Sequence, residues 1–306
     1  MARELNKRFI NRLTTGDFNQ LLSTVKADNE LALQIRDNYI NIYYRGGNIL
    51  KVKPTSFWFD EYYFFTKDLS FYSNYSSKTA LQKSNNFQGE EDRRYLSQQR
   101  DELIAMVSDD PENYFAKAKE IMNKWFSDNP KDEREEQHLQ IKENSASDDY
   151  CIIDIEYAIS TNYTYFCNLT TPKGGFRVPR FDIVAINQAG EICVIELKKG
   201  LEALKGDSGL AGHLKSYQTS IGRDPKAFIN HIRTLNDQMK ILGFQSRDIL
   251  NTDNVRFMFA YKFKDNDIEE KNSFYAESTK QGVAGVECIF IDMGSNKLLG
   301  TKKETL

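Results

Sequence analysis

Arg180–Gly200, RFDIVAINQAGEICVIELKKG, consists of two apolar runs joined by a turn, with charged residues set into both. Asp182 interrupts Phe181, Ile183, Val184, Ala185 and Ile186; Gln188–Gly190 read as the turn; Ile192–Leu197 form the second run, ending in Glu196, Leu197 and Lys198. A β-hairpin follows. Side chains alternate across a strand, so Ile192, Val194, Glu196 and Lys198 share one face while Cys193, Ile195 and Leu197 share the other. Carboxylates are rarely buried unless paired or bound to metal. Two that converge beside a lysine make a hard-oxygen site suited to Mg²⁺.

An Asp on one strand and Glu-x-Lys on the next resembles the signature of the PD-(D/E)XK nuclease superfamily, with Asp182 at the first position and Glu196 and Lys198 at the second. The likeness spans roughly residues 130–295. Phe181 precedes Asp182 and the nearest proline is Pro179, a departure common in the superfamily. The resemblance implies an α/β fold: a restriction-endonuclease-like core with a mixed β-sheet flanked by helices, in the order helix, three strands, helix, strand. It also implies a glutamate from the helix before the first strand.

That helix is expected at about 130–144, where Glu133, Glu135, Glu136, Gln137 and His138 stand close together and Leu139 and Ile141 supply packing. Glu135, one turn before Leu139, is the expected catalytic glutamate, with Glu136 next; carboxylates near a helix N-terminus are also favoured by the dipole alone. Glu156, on the strand expected over Tyr150–Ile159, is a further candidate acid. After Lys198, KGDSGLAGHLKSYQTSIG is a glycine-punctuated loop entering a helix. By the resemblance its His213, Lys215 and Gln218, together with Lys199, are expected to contact substrate, and Ser208 or Lys215 to meet a phosphate. Asp224-Pro225 opens a long amphipathic helix ending at Gly243, on which His231 is expected to be exposed. Val255–Phe263 and Val286–Met293 read as strands.

Two portions are expected along the chain: an N-terminal α+β accessory region over 1–126, and the nuclease-like domain over 127–306. Leu5, Phe9, Ile10 and Leu13, then Phe18, Leu21, Leu22 and Val25, recur at helical spacing, and the helical reading extends through Leu31 and Ile35. Gly46-Gly47 supplies the positive φ of a hairpin between Tyr39–Tyr44 and Asn48–Lys53, with an aromatic strand over Phe57–Phe65 beyond it. The aromatic residues here suit a strand core, although they could stack on unpaired bases. Residues 66–100, rich in Ser, Asn and Gln, read as a loop leading to a helix over about 91–107. A further helix begins at Asp109-Asp110-Pro111.

The net charge of −3 argues against a tight non-specific coat on nucleic acid, but Thr171–Lys262 carries 14 Lys and Arg against 9 Asp and Glu. Cys151, Cys167, Cys193 and Cys288 stand singly in apolar runs without metal spacing, which argues against a zinc cluster and a thiol nucleophile and favours reduced core residues. No apolar run approaches membrane-spanning length and the start lacks a signal segment, so a cytoplasmic protein without a membrane partner is expected.

The function expected is a Mg²⁺-dependent nuclease, with Mn²⁺ able to substitute, acting on nucleic acid with DNA ahead of RNA; a homo-oligomer is left open. Asp182, Glu196 and the Leu197 carbonyl would hold metal, and Lys198 would orient or deprotonate the attacking water. The alternative is a catalytically silent nucleic-acid- or nucleotide-binding sensor on the same fold.

Overall fold

A computed structural model describes residues 3–58, 101–128, 132–144, 146–159, 169–170, 176–206, 208–263, 268–283, 285–292, 297–298 and 303–305. The protein is α/β, and its contacts divide it into two compact units: Leu5–Glu135, and Glu136–Leu306 together with Met1–Glu4.

In the first unit, helices α1 (Lys7–Thr14) and α2 (Asn19–Ala27) precede an antiparallel sheet of β1 (Leu31–Ile35), β2 (Ile40–Tyr44), β3 (Gly47–Lys53) and β4 (Ser56–Trp58), in that order. Asn6 caps α1 by accepting the Phe9 N–H, and Phe9 and Leu13 turn the helix's apolar stripe into the core. The hairpin forms, but its turn is corrected from Gly46-Gly47 to Arg45-Gly46, whose φ values are +48° and +75°, the left-handed pair that a tight two-residue turn demands, while Gly47 already pairs with Tyr44 in β3. The helical reading of Leu31–Ile35 is corrected: every residue of LALQI is buried, and the segment pairs with β2. An i, i+4 spacing of two aliphatics fits a strand buried on both faces equally well. Residues 101–109 are helical and lead to α3 (Pro111–Asp128). The aromatic strand beyond Trp58, the Ser/Asn/Gln-rich loop and Cys167 lie outside the described residues.

Helix α4 (Asp132–Glu143) runs across the division between the units. The second unit is built on a six-stranded mixed sheet. Its strands are β5 (Tyr150–Ala158), β8 (Arg180–Asn187), β9 (Ile192–Lys199), β10 (Val255–Phe263), β11 (Glu287–Asp292) and β12 (Lys303–Thr305), in the spatial order β12-β11-β10-β9-β8-β5. The short strands β6 (Leu169–Thr170) and β7 (Phe176–Arg177) pair separately. β5, β8 and β9 form an antiparallel meander, whereas β10 runs parallel to β9 and β11 parallel to β10. Parallel neighbours require crossovers. These are α5 (Leu210–Thr219) with α6 (Pro225–Ile241), then α7 (Ile268–Lys280).

The β8–β9 hairpin closes at Gly190, whose φ is +74° and where a Cβ would come within 2.8 Å of the Leu250 backbone nitrogen, so only glycine fits. α6 starts on the expected signal: Asp224 accepts the Ala227 N–H and Pro225 occupies the first turn. α7 had no counterpart in the sequence reading, because IEEKNSFYAESTK mixes weak helix formers with little apolar periodicity.

One sheet face carries Ile183, Ala185, Cys193, Ile195, Leu197, Met258, Ala260, Ile289 and Ile291, packed with Ile141 of α4. On β10, Phe257 stacks on Tyr217 of α5 and Tyr261 packs on Phe274 of α7. Cys151, Cys193 and Cys288 are buried thiols. Among the described residues no helix is long and apolar enough to cross a membrane.

Candidate functional site

The β8–β9 ladder pairs Ile186 with Ile192, Ala185 with Cys193, Val184 with Val194 and Ile183 with Ile195. Asp182 and Glu196 are the residues next beyond the Ile183–Ile195 pair, and by strand alternation both lie on the face opposite to that pair. Lys198 follows two residues on, at the carboxyl end of β9, where open α/β sheets form binding crevices. Glu196 has no exposed surface and Lys198 is 7% exposed; the lysine Nζ lies 3.9 Å from Glu196 Oε2.

Asp182 is held by two neutral donors. The Leu197 N–H donates to its Oδ2 at 2.9 Å, and Gln137 Nε2 donates to its Oδ1 at 3.0 Å. The residue keeps some exposed surface, yet burial of its carboxyl group is the first cause that lifts its pKa well above the usual carboxylate range. Repulsion from Glu196 adds to the shift, while Lys198, His213 and the Leu197 N–H partly offset it. The two carboxylates are therefore electrostatically coupled.

His213, on the first turn of α5, places Nδ1 2.9 Å from Glu196 Oε2. This expected substrate contact therefore stands beside Glu196. Lys199, Lys215 and Gln218 are exposed. Lys215 and Gln218 lie on the solvent side of α5 and are not gathered with Glu196, since Ser216 and Ser220 bury the other side. Ser208 is exposed as well.

Glu135 and Glu136 of α4, the expected glutamates, each have a basic partner. Glu135 belongs to the first unit, where its Oε1 accepts Arg45 Nε at 2.7 Å. Glu136 is buried against Lys262 Nζ at 2.6 Å. It is Gln137, 3% exposed, that reaches Asp182. Glu133 has no described side chain. Polar and apolar residues are spread evenly around α4, so periodicity carried no signal for its inward side.

Glu156 occupies the β5 position between the Ile155–Ile183 and Tyr157–Phe181 pairs, in a left-handed conformation at φ +48°. Its carboxylate is half-buried, 4.0 Å from Arg180. A non-glycine residue there is strained, and such strain concentrates near functional positions.

His231 is buried, not exposed as expected. It packs on Tyr157, beside the buried Arg3–Asp154 ion pair, and burial pushes its pKa down to about 4. Its helix lies against β5 and so turns that side inward.

The donor set suits a divalent cation in kind: two coupled hard-oxygen carboxylates, desolvated, with one lysine nearby. Among the described residues no group of three or more His, Cys, Asp or Glu side chains stands ready around one ion, so the protein would complete the coordination with backbone carbonyl and water oxygens. No protein-family profile matches the chain, and none of the curated proteins or solved structures compared with it does either.

Proposed function

We propose that the chain is a Mg²⁺-dependent nuclease on a restriction-endonuclease-like, PD-(D/E)XK core, hydrolysing phosphodiester bonds with DNA ahead of RNA as substrate. The observation that carries this reading is the coupled pair Asp182 and Glu196 at the end of adjacent strands, with Lys198 beside them. Two desolvated carboxylates repelling one another are costly unless a cation engages them. The order α4, β5, β8, β9, α5, β10, with β10 parallel to β9, supports the core assignment.

Asp182 and Glu196 would hold the cation, the Leu197 carbonyl completing the protein's share. Bound there, Mg²⁺ would supply Lewis-acid chemistry, acidifying a water in the site and offsetting the charge that develops on the phosphate. Lys198 orients the attacking water and, as an ammonium, stabilises the negative charge nearby. His213 fixes the rotamer of Glu196. Exposed Lys199 meets the phosphodiester backbone at long range.

A catalytically silent binding or sensing protein is the second reading. It is favoured by the contacts that the site residues make with one another: His213 and Lys198 on Glu196, and Gln137 on Asp182. Incubating the purified protein with end-labelled single- and double-stranded DNA and RNA, in Mg²⁺, Mn²⁺ or EDTA, separates the two. Metal-dependent cleavage of any of these supports the nuclease. Binding without cleavage under every metal condition leaves the sensor.

A further inference from the structure

Helix α4 buries an unusual set of side chains: Glu136, Gln137, His138 and Gln140, with Asn144 just past its end. Buried polar groups cost free energy unless hydrogen-bonded, so a helix that turns this side inward is fixed by its partners. Glu136 Oε1 accepts from Lys262 Nζ at 2.6 Å, both side chains at most 7% exposed, and from Gln140 Nε2 at 3.3 Å. Asn144 Nδ2 donates to the Gln140 carbonyl at 2.7 Å, and Asn144 Oδ1 accepts the Leu298 N–H at 2.7 Å. Gln245 Nε2 donates to the Asn144 carbonyl at 3.1 Å. These contacts anchor α4 at successive turns to β10 and to the segments around 245 and 298, setting the helix's rotation about its axis.

We infer that Gln137 is a positioning residue that presents Asp182 to the cation, with the Glu136–Lys262 pair as the anchor that places Gln137. The inference rests on the nuclease reading. Gln137 Nε2 and the Leu197 N–H take one Asp182 oxygen each, at 3.0 and 2.9 Å. Two donors on two oxygens fix the carboxylate plane, and each oxygen keeps a lone pair for another partner. A neutral amide does this without changing the charge of the site. A cationic side chain would compete with the metal, and a third carboxylate would add repulsion to a pair that already lifts the Asp182 pKa.

The test is calorimetric titration of the full-length protein with Mn²⁺ alone, alongside thermal midpoints in EDTA and in Mn²⁺, for wild type, Gln137→Met, Gln137→Glu and Lys262→Met. Outer-shell partners of metal ligands set affinity by about 10- to 100-fold, so Gln137→Met should weaken Mn²⁺ binding by that factor while its midpoint in EDTA stays near wild type. A purely structural role would move the midpoint and spare the affinity. Lys262→Met should weaken Mn²⁺ binding in the same direction. Gln137→Glu should lower the midpoint in EDTA, and Mn²⁺ should raise it by more than it raises that of wild type. Wild-type affinity in Gln137→Met overturns the inference alone. If that variant does not fold, an equal Mn²⁺ response in Gln137→Glu and wild type overturns it. A wild-type protein that binds no Mn²⁺ and cuts nothing overturns the nuclease reading, and this inference with it.

Discussion

His213 Nδ1 stands 2.9 Å from Glu196 Oε2, joining the first turn of α5 to the end of β9. Glu196 is wholly buried, and the imidazole lies closer to its Oε2 than Lys198 Nζ does, at 2.9 against 3.9 Å. His213→Ala should therefore free the Glu196 rotamer. Mn²⁺ affinity should fall by about 10- to 100-fold, the range for groups that orient a ligand, with DNA binding in EDTA unchanged. Equal Mn²⁺ affinity in the variant would show that the contact is packing only.

Asp182→Asn and Glu196→Gln keep size and remove charge. Each should abolish metal-dependent cleavage and weaken Mn²⁺ binding by more than about 100-fold, beyond the loss expected for an outer-shell partner. Lys198→Ala should also abolish cleavage while leaving Mn²⁺ affinity close to wild type, because it removes the group that positions water and not a ligand. Retained cleavage in Glu196→Gln would rule out this assignment.

Asp182→Asn should also stabilise the metal-free protein. A carboxyl group whose native pKa is raised binds its proton more tightly folded than unfolded, so its ionisation lowers stability as pH climbs through the unfolded value toward the native one. The wild type in EDTA should thus gain from this group on mild acidification, and the amide should show the higher midpoint at pH 7. Differential scanning calorimetry in EDTA at pH 5 and pH 7 reads both; a lower midpoint for the amide at pH 7 contradicts the coupling.

His231 has the opposite dependence on acid. Its native pKa is depressed to about 4 by burial, with Arg3 adding to the effect and Asp154 opposing it. Acid protonates the unfolded chain first, so this contribution is complete at pH 7, falls once pH drops below about 6.5, and is spent near the native value. The full span is about 3 kcal/mol. His231→Gln should flatten the urea-midpoint profile between pH 7 and 4.5. An unchanged profile would place the acid sensitivity elsewhere.

Glu136 and Lys262 form a desolvated pair 2.6 Å apart. Removing one partner leaves a buried charge, so Lys262→Met should cost about 3–5 kcal/mol, whereas Glu136→Leu combined with Lys262→Met should recover most of it. Urea unfolding of the two single variants and the double variant measures the coupling. Strict additivity would show that the two charges do not act as a pair.

The β8–β9 hairpin was legible in the chain because strand alternation and a glycine turn are local: once residues 180–200 fold as a hairpin, Ile183 pairs with Ile195 and Asp182 and Glu196 stand next to that pair. The start of α6 at Asp224-Pro225 and a glycine turn at Gly46 were legible for the same reason. Which side of α4 turns inward was not. Its buried side is polar, so no apolar stripe marked it, and only partners far along the chain decide it: Asp182 for Gln137, Lys262 for Glu136, Leu298 for Asn144. The strand at Leu31–Ile35, the burial of His231 and the contact of His213 with Glu196 were likewise set by residues distant in sequence. Periodicity reports how a segment presents its own side chains; the partner that desolvates or pairs a given charge is a property of the folded chain.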